Sequence, residues 1–426
     1  MDTKLLSNQP PKGTSDWFPD EFRIRKYIFD VWREVCTKYG YEEYLTPIIE
    51  SAQIYKAKSG EEVGGKQLMT MTDRSGRELA IRPEMTPSVV RMISRIYDGR
   101  PKPIRYFSIA NFLRNEKPQR GRNREFWQLN FDIFGSDSIQ ADIEILEIAI
   151  EIMLSFKPPE DSFTVYINSR KLVEDLFSLI NLSDGLKPKV FRVLDRWNKM
   201  ADGEAAAELQ EYQVDEDSVN TIKLYMTAET EKDLLKAVPG LEDKNSLKEI
   251  QTILKVLNEK GYEKWIKFQP NIVRGLDYYD GMVFEVFDNN SENKRSLFGG
   301  GRYNGLAGIF GKNSFPGVGC APGDETTKLF LESWDLIERN IQQASKYYAP
   351  IIDESLRSEF EKIVSKLRAE GKIVEIGLEI EKIGKALEYA NSTNARFVII
   401  FGSQEKEQGI YKVKDLSTGQ EAQFEI

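Results

Sequence analysis

The stretch from Phe112 to Gly135, FLRNEKPQRGRNREFWQLNFDIFG, constrains this chain more than any other. An apolar segment from Ile104 to Phe112 runs into Arg114 and Glu116. A loop with Lys117, Arg120, Arg122 and Arg124 follows, and an apolar-aromatic segment from Phe126 to Phe134 returns. The pattern predicts a strand, a basic loop and a returning strand. Both stems are apolar enough for burial, yet one carries Arg114 and Glu116 and the other Gln128 and Asp132. Charges inside a buried sheet need partners, and a polyanionic ligand would supply them. Read alone, the stretch also fits a solvent-facing hairpin with a basic tip.

The chain contains no histidine. This removes the commonest general base and the commonest metal ligand together. Triads built on an imidazole and histidine-based metal sites are excluded. Cys36 and Cys320 form no CxxC pair, so neither a zinc site nor a disulfide framework is expected. Chemistry must then rest on arginine, carboxylate, tyrosine, backbone and the substrates themselves. A net charge of -9 argues against a generic nucleic-acid coat but leaves room for a local basic site. No apolar window is long enough to span a bilayer, and the first residues lack a signal-peptide core. A cytoplasmic location with no membrane partner is expected. The 426 residues allow two or three domains.

Along the chain, a turn-rich arm (PPKGTSDWFP) precedes a helix from Glu21 to Tyr39 that Gly40 stops. Tyr41 to Ser51 reads as a strand broken by Pro47, which favours an edge or an interface. A hairpin turning at Arg74-Ser75-Gly76 leads to a helix opening near Thr86-Pro87. This puts Arg82, Glu84 and Thr86 where a strand ends and a helix begins. Ser138 opens a further helix, and Ser162 to Lys171 is a strand. From Asn181 to Tyr262 the texture is charged and helix-favouring, which reads as a separate helical insertion. Strand signals return between Lys267 and Asp288. Beyond residue 345 strands alternate with helices, predicting a small α/β domain with a largely parallel sheet.

Three later stretches add chemistry. Arg274-Gly-Leu-Asp-Tyr-Tyr279 offers a fixed cation and two hydroxyls, although an Arg274–Asp277 pair is an equal reading. GGGRYNG (299–305) allows close approach to the backbone, or a bulge or turn. It is neither a dinucleotide fingerprint nor a Walker loop. GVGCAPGD (317–324) places glycines on a strand entering a helix, as close packing or nucleotide approach would each require.

In combination and order these pieces resemble the histidyl-tRNA synthetase family of class II aminoacyl-tRNA synthetases. TPIIE around Pro47 is similar to the dimer-forming motif 1, and RPEMT (82–86) also matches. FLRNEKPQRGRNREFWQ resembles motif 2, RGLDYY and GGGRYNGL resemble the two histidine-specific motifs, and GVGCAPGD resembles motif 3. The resemblance implies an α+β fold: an antiparallel catalytic sheet flanked by helices, a helical insertion, and a C-terminal α/β anticodon-binding domain. Residues 1–180 and 263–342 would form the catalytic domain, 181–262 the insertion, and 343–426 the anticodon-binding domain.

The implied reaction joins histidine to ATP as histidyl-adenylate, then transfers the histidyl group to the 3′ end of tRNA(His). Its partners are histidine, ATP with Mg²⁺ as counter-ion, tRNA(His) and a second copy of the chain, with no bound zinc. By resemblance, Arg114 holds the α-phosphate and the substrate carboxylate, and Arg274 approaches from the opposite side. Glu116 fixes the adenine side, Phe126 stacks on the base, and Arg122 reaches the distal phosphates. Glu84, Thr86 and Gln128 take the substrate ammonium. Asp132 and Tyr279 meet the imidazole with Arg274 and Tyr278 nearby, and Tyr303 closes the pocket. Gln119 and Arg124 face the tRNA acceptor end. Without a histidine side chain, a phosphate oxygen of the adenylate is expected to act as base in transfer.

Two departures stand out. Thr326 occupies the place where motif 3 usually carries an ATP-contacting arginine, and Lys328 is one helical step off. The chain also ends at EAQFEI without the family's closing helix. A rival resemblance is the histidine-sensing regulatory subunit of ATP phosphoribosyltransferase. That relative typically lacks the anticodon-binding domain and has eroded motif 2 and RGLDYY arginines, whereas both arginines and an α/β tail are present here. The missing histidines also fit an enzyme whose own messenger needs none during histidine shortage, or simple lineage bias.

Overall fold

The two stems around the basic loop form the longest ladder among the described residues. Strand Ile104–Leu113 pairs antiparallel with Glu125–Phe134 through ten successive partners, from Ile104↔Phe134 to Leu113↔Glu125. In this computed structural model, residues 6–60, 62–273, 278–311, 314–341 and 345–426 are described. They fall into two units, Met1–Ile341 and Gln342–Ile426.

The hairpin belongs to an eight-stranded sheet. From one edge the order is Glu42–Glu43, Ile104–Leu113, Glu125–Phe134, Gly317–Cys320, Ser296–Arg302, Met282–Asp288, Phe163–Ser169 and Ile266–Phe268. The six inner strands pair antiparallel, and each edge strand pairs parallel. Alternation along each strand divides the sheet into two faces. Leu129, Phe131 and Ile133 look into the main core, with Trp32, Val35, Leu146 and Ile150 from helices Pro19–Lys38 and Ile139–Ser155. Their neighbours look the other way, into the cleft.

Local signals explain the flanking helices. Pro19 sits in the first turn of its helix with Asp20 and Glu21, suiting the missing amide partners and the helix dipole there. Ser138 caps the next helix, its side chain accepting from Gln140 N at 3.2 Å. Pro87 lies in the first turn of Thr86–Ile96.

The region read as one broken strand, Tyr41 to Ser51, is two strands in different sheets. Glu42–Glu43 lies at the edge of the large sheet, and Ile49–Ser51 joins Glu78–Ile81 and Met69–Thr72 in a small antiparallel sheet. Buried Arg82 fixes the crossing. It donates from its backbone to Ile48 O at 2.9 Å and from Nη1 to Thr46 O at 2.8 Å.

Residues 181–262 are helical, as expected, with helices Lys187–Arg196, Glu204–Glu211, Glu216–Thr227, Glu231–Ala237 and Asn245–Glu259. Their apolar residues, including Val190, Leu209, Ile222 and Leu257, join the same core as the sheet-backing helices. Helix periodicity showed the texture, but not that the apolar stripes would merge with an existing core.

In the second unit, Ile373–Ile380, Lys346–Ile351 and Phe397–Ile400 are parallel, while Ile410–Asp415 and Glu421–Glu425 continue antiparallel. Helix Arg357–Ala369 buries Phe360, Ile363, Val364 and Leu367 against this sheet. A short helix, Ser403–Glu407, was not anticipated. Among the described residues no helix is long and apolar enough to cross a membrane.

A buried ion pair ties the large sheet to its backing helix. Arg302 is 3% exposed, with its Nε 2.9 Å from Asp142 Oδ1 and its Nη2 3.0 Å from Oδ2; Nη1 donates to Ser136 O at 3.0 Å. Removing one partner strands the other in the core. Arg302→Met is therefore expected to cost about 3–5 kcal/mol, and Arg302→Met with Asp142→Leu to recover much of it. Urea titration of both variants checks this; a single-variant loss below about 1 kcal/mol would refute the clamp.

Candidate active site

The cleft face of Glu125–Phe134 is an alternating set: Phe126, Gln128, Asn130, Asp132 and Phe134. Their cross-strand partners are Phe112, Ala110, Ser108, Tyr106 and Ile104. The cleft has a volume of about 2420 Å³ and is lined by Arg114, Glu84, Thr86, Phe126, Gln128, Asp132, Tyr278, Tyr279 and Tyr303, among others. Residues from both ends of the first unit's sequence thus converge on one surface.

Arg114 leaves the end of its strand held at both backbone and head. Its N–H donates to Arg124 O at 2.8 Å and its Nε to Pro83 O at 3.0 Å. The guanidinium lies 4.9 Å from the centre of the Phe126 ring, which itself stacks on Phe112 at 5.7 Å. Burial lowers the Arg114 pKa, while Glu84 and Glu116 oppose the shift. Arginine's high intrinsic pKa keeps it cationic. The remaining nitrogens give a planar donor edge suited to phosphate or carboxylate oxygens.

Glu84 follows strand Glu78–Ile81 and precedes the helix that opens at Thr86. It is 5% exposed and accepts from Tyr278 hydroxyl at 2.9 Å. Burial raises its pKa, and the Tyr278 hydrogen bond and the Arg114 charge pull it back. Asp132 accepts from the Tyr303 hydroxyl, and burial pushes its pKa up to about 7 against that hydrogen bond. Tyr278 packs on Tyr279 at 4.9 Å and on Tyr303 at 5.8 Å between ring centres. Gln128 donates to Ala321 O at 3.2 Å, so its amide is fixed with the carbonyl end available.

The glycine motifs have a local reason. A side chain at Gly301 would reach within 2.7 Å of the Tyr279 ring, and one at Gly317 within 2.7 Å of the Tyr303 ring. At Gly319, opposite Asp132 in the ladder, it would overlap the Asp132 carboxylate. Glycine lets the protein's own tyrosines and aspartate lie flat against the sheet.

The basic loop closes the other end. Gln119 and Arg122 bridge through their backbones, and Arg122 reaches Glu116 at 3.5 Å. Gln119 accepts from Arg295 Nη2 at 3.0 Å. Arg124 is not on the cleft wall. Its Nε donates to Glu116 O at 3.1 Å and its backbone N–H to Gly13 O at 2.8 Å, beneath the N-terminal arm. Thr326 lines the cleft with its hydroxyl donated to Leu297 O at 2.7 Å, while Lys328 pairs with Glu332 on the same helix. Arg274 and Asp277 lie outside the described residues.

Sequence reasoning missed several cleft residues. Asn130 was legible from the period-two register it shares with Gln128 and Asp132. Lys294 and Arg295 enter from the loop before strand Ser296–Arg302, and Lys187, Lys189, Arg192 and Arg196 from helix Lys187–Arg196. Nothing in their local sequence indicated that they would share a cavity with motif residues.

Comparison with known proteins adds an independent line. A family model described as Histidyl-tRNA synthetase matches residues 13–323, and one described as Anticodon binding domain matches 343–426. Histidine--tRNA ligase of Leptospira biflexa is 37% identical over 426 residues, covering 100% of this chain and 97% of that protein. Its counterpart in Pyrococcus horikoshii is 34% identical, covering 96% and 95%. The crystal structure of histidyl-tRNA synthetase from Nostoc sp. PCC 7120 superposes with a TM-score of 0.82 at 22% identity, covering 99% of this chain and 97% of that one, a likeness of fold. Sequence match, fold and the converging motifs together place this chain in the histidyl-tRNA synthetase family.

Proposed function

We propose that the cleft performs both half-reactions of histidine ligation to tRNA(His). The observation that carries this reading is Arg114, held between Pro83 O and Phe126 beside the polar pocket of Glu84, Asp132 and the tyrosines. In the first step a histidine carboxylate oxygen bonds to the α-phosphorus of ATP, and the bond to the β-phosphate bridging oxygen breaks to release pyrophosphate. The substrate brings its own nucleophile, so the protein needs to align two anions and stabilise the charge gathering on the phosphoryl oxygens. Arg114 does both from one side, and Arg274 is assigned the opposite side. Glu116 orients the adenine end, Phe126 stacks on the base, and Arg122 meets the distal phosphates. Mg²⁺ arrives with ATP as part of the substrate.

Glu84, Thr86 and the Gln128 carbonyl receive the ammonium group. Asp132 meets the imidazole, walled by Tyr278, Tyr279 and Tyr303. In the second step the tRNA 3′ hydroxyl attacks the carbonyl carbon of the adenylate and AMP leaves, with the hydroxyl proton passing to a phosphate oxygen. Gln119 on the exposed loop contacts the acceptor end; Arg124 supports that loop from beneath. Residues 343–426 bind the anticodon, and the match to an anticodon-binding model over this stretch favours the ligase over the regulatory-subunit reading. Exposed Leu45, Ile48 and Ile49 around Pro47 support a homodimer. Replacing Leu45 and Ile48 by Asp should then yield monomers by light scattering; dimers of unchanged stability would dismiss this surface.

Arg114→Ala is expected to slow histidine-dependent ATP–pyrophosphate exchange by about 10²–10³-fold, the cost of losing a donor to developing oxyanion charge. A less than threefold effect would remove Arg114 from the chemistry. Exchange with each other amino acid in turn should stay near background.

Asp132 also sets a pH dependence. Its folded pKa, about 7, lies above the unfolded carboxylate value, so the fold binds more protons. Its contribution to stability is fully present below the unfolded value and lost as pH rises through about 7. The lost stability is on the order of a few kcal/mol. Melting curves of the ligand-free protein between pH 5 and 8 should therefore fall less steeply for Asp132→Asn than for wild type; parallel slopes would contradict the burial argument.

A further inference from the structure

Asn130 is 4% exposed and lines the cleft, and its Nδ2 has no hydrogen-bond partner among the described residues. The cross-strand neighbour, buried Ser108, does not take it, and the Ser108 hydroxyl is likewise without a partner. A buried amide N–H without an acceptor costs free energy, and one that lines a cleft is placed to meet a ligand's acceptor. On the same strand face, Gln128 Nε2 is engaged by Ala321 O, and Asp132 takes the hydroxyl of Tyr303. Asn130 is therefore the uncommitted donor between an ammonium acceptor and a carboxylate.

Neutral imidazole presents one N–H donor and one acceptor nitrogen. Bonded at both ends through hydrogen bonds of about 2.9 Å, it separates its two partners by roughly 7–8 Å. Positions two apart on a strand are about 6.8 Å apart on the same face. Asn130 and Asp132 have that relation and opposite polarity. We propose that Asn130 Nδ2 donates to the unprotonated ring nitrogen of the substrate histidine while Asp132 accepts from the protonated one. A tyrosine hydroxyl can give or take a hydrogen bond, so Tyr279 does not distinguish the two nitrogens. The amide N–H only gives, and together with Asp132 it selects one tautomer of the neutral ring. This inference rests on the reading of the cleft as the histidine site.

The test is histidine-dependent ATP–pyrophosphate exchange by the full chain with Asn130→Ala, Asn130→Ser and Asn130→Asp. The expected result for all three is a KM for histidine raised about 10- to 100-fold, with the KM for ATP within about twofold of wild type. Melting temperature separates this role from a structural one. Without histidine, Asn130→Ala should melt at or above wild type, because a stranded donor has been removed. The upward shift that saturating histidine gives wild type should shrink. An unchanged KM for histidine overturns the inference. So does a KM kept by Asn130→Asp alone, which would mean that the side chain presents an acceptor. So too does a fall in the unliganded melting temperature with no change in KM, which would make Asn130 a packing residue paired with Ser108. Failure of the wild-type protein to support exchange with histidine would instead remove the reading of the cleft itself.

Discussion

Two buried carboxylates and one half-buried guanidinium share a single face of a sheet. Arg114, Glu84 and Asp132 all pay for burial, and each shift runs in the direction that disfavours the charged form. Such groups stay in place only if the surrounding frame cannot relax around them. The opposite face supplies that rigidity. Leu129, Phe131 and Ile133 alternate with the cleft residues and lock the same strand into a helix-backed core. Core packing and cleft lining are thus written on alternate residues of one segment.

The frame extends to the loops. Arg114 N is bonded to Arg124 O, and Arg124 N and Glu125 N are both bonded to Gly13 O, at 2.8 and 3.1 Å. Position along the chain therefore says little about distance from the chemistry. An arm more than a hundred residues upstream supports the backbone that aims Arg114. Across the sheet, Arg25 joins Asp324 at 3.0 Å, and Asp324 accepts from Trp127 N at 2.9 Å. The first helix, the hairpin and the helix after the glycine strand are thereby linked beneath the site.

Much of this was legible in the sequence because the signals were local. The hairpin stems, the helix at Thr86 and the alternating tail each follow from periodicity or from a turn residue. The two halves of Tyr41–Ser51 were not separable, because proline marks a break without saying which sheet each half joins. The placement of Arg124 was equally hidden, since a loop arginine reads the same whether it faces ligand or an arm that packs under it. Asn130 was in plain register, but an amide between two more obviously chemical residues gives no sign of burial. The cationic contributions of Arg295 and of helix Lys187–Arg196 are tertiary, and a single chain without its contacts does not encode them visibly.

The distribution of charge also answers what Thr326 leaves undone. Its hydroxyl is committed to Leu297 O, and Lys328 is turned to Glu332, so this helix offers the cleft no cation from either position. Arg120, Arg122, Lys294 and Arg295 line the same end from two loops. Arg295 is tied to Gln119 and Arg120 to Glu292, the latter at 3.5 Å with both side chains largely exposed. Exposed pairs of this kind are weak, and a polyphosphate can compete for their cations at little cost. Positive charge at this end of the cleft is therefore supplied by exposed loop side chains, whereas Arg114 is held by backbone contacts beside the sheet. That division suits a reaction whose pyrophosphate must depart while the adenylate stays, with no histidine in the chain to shuttle the proton.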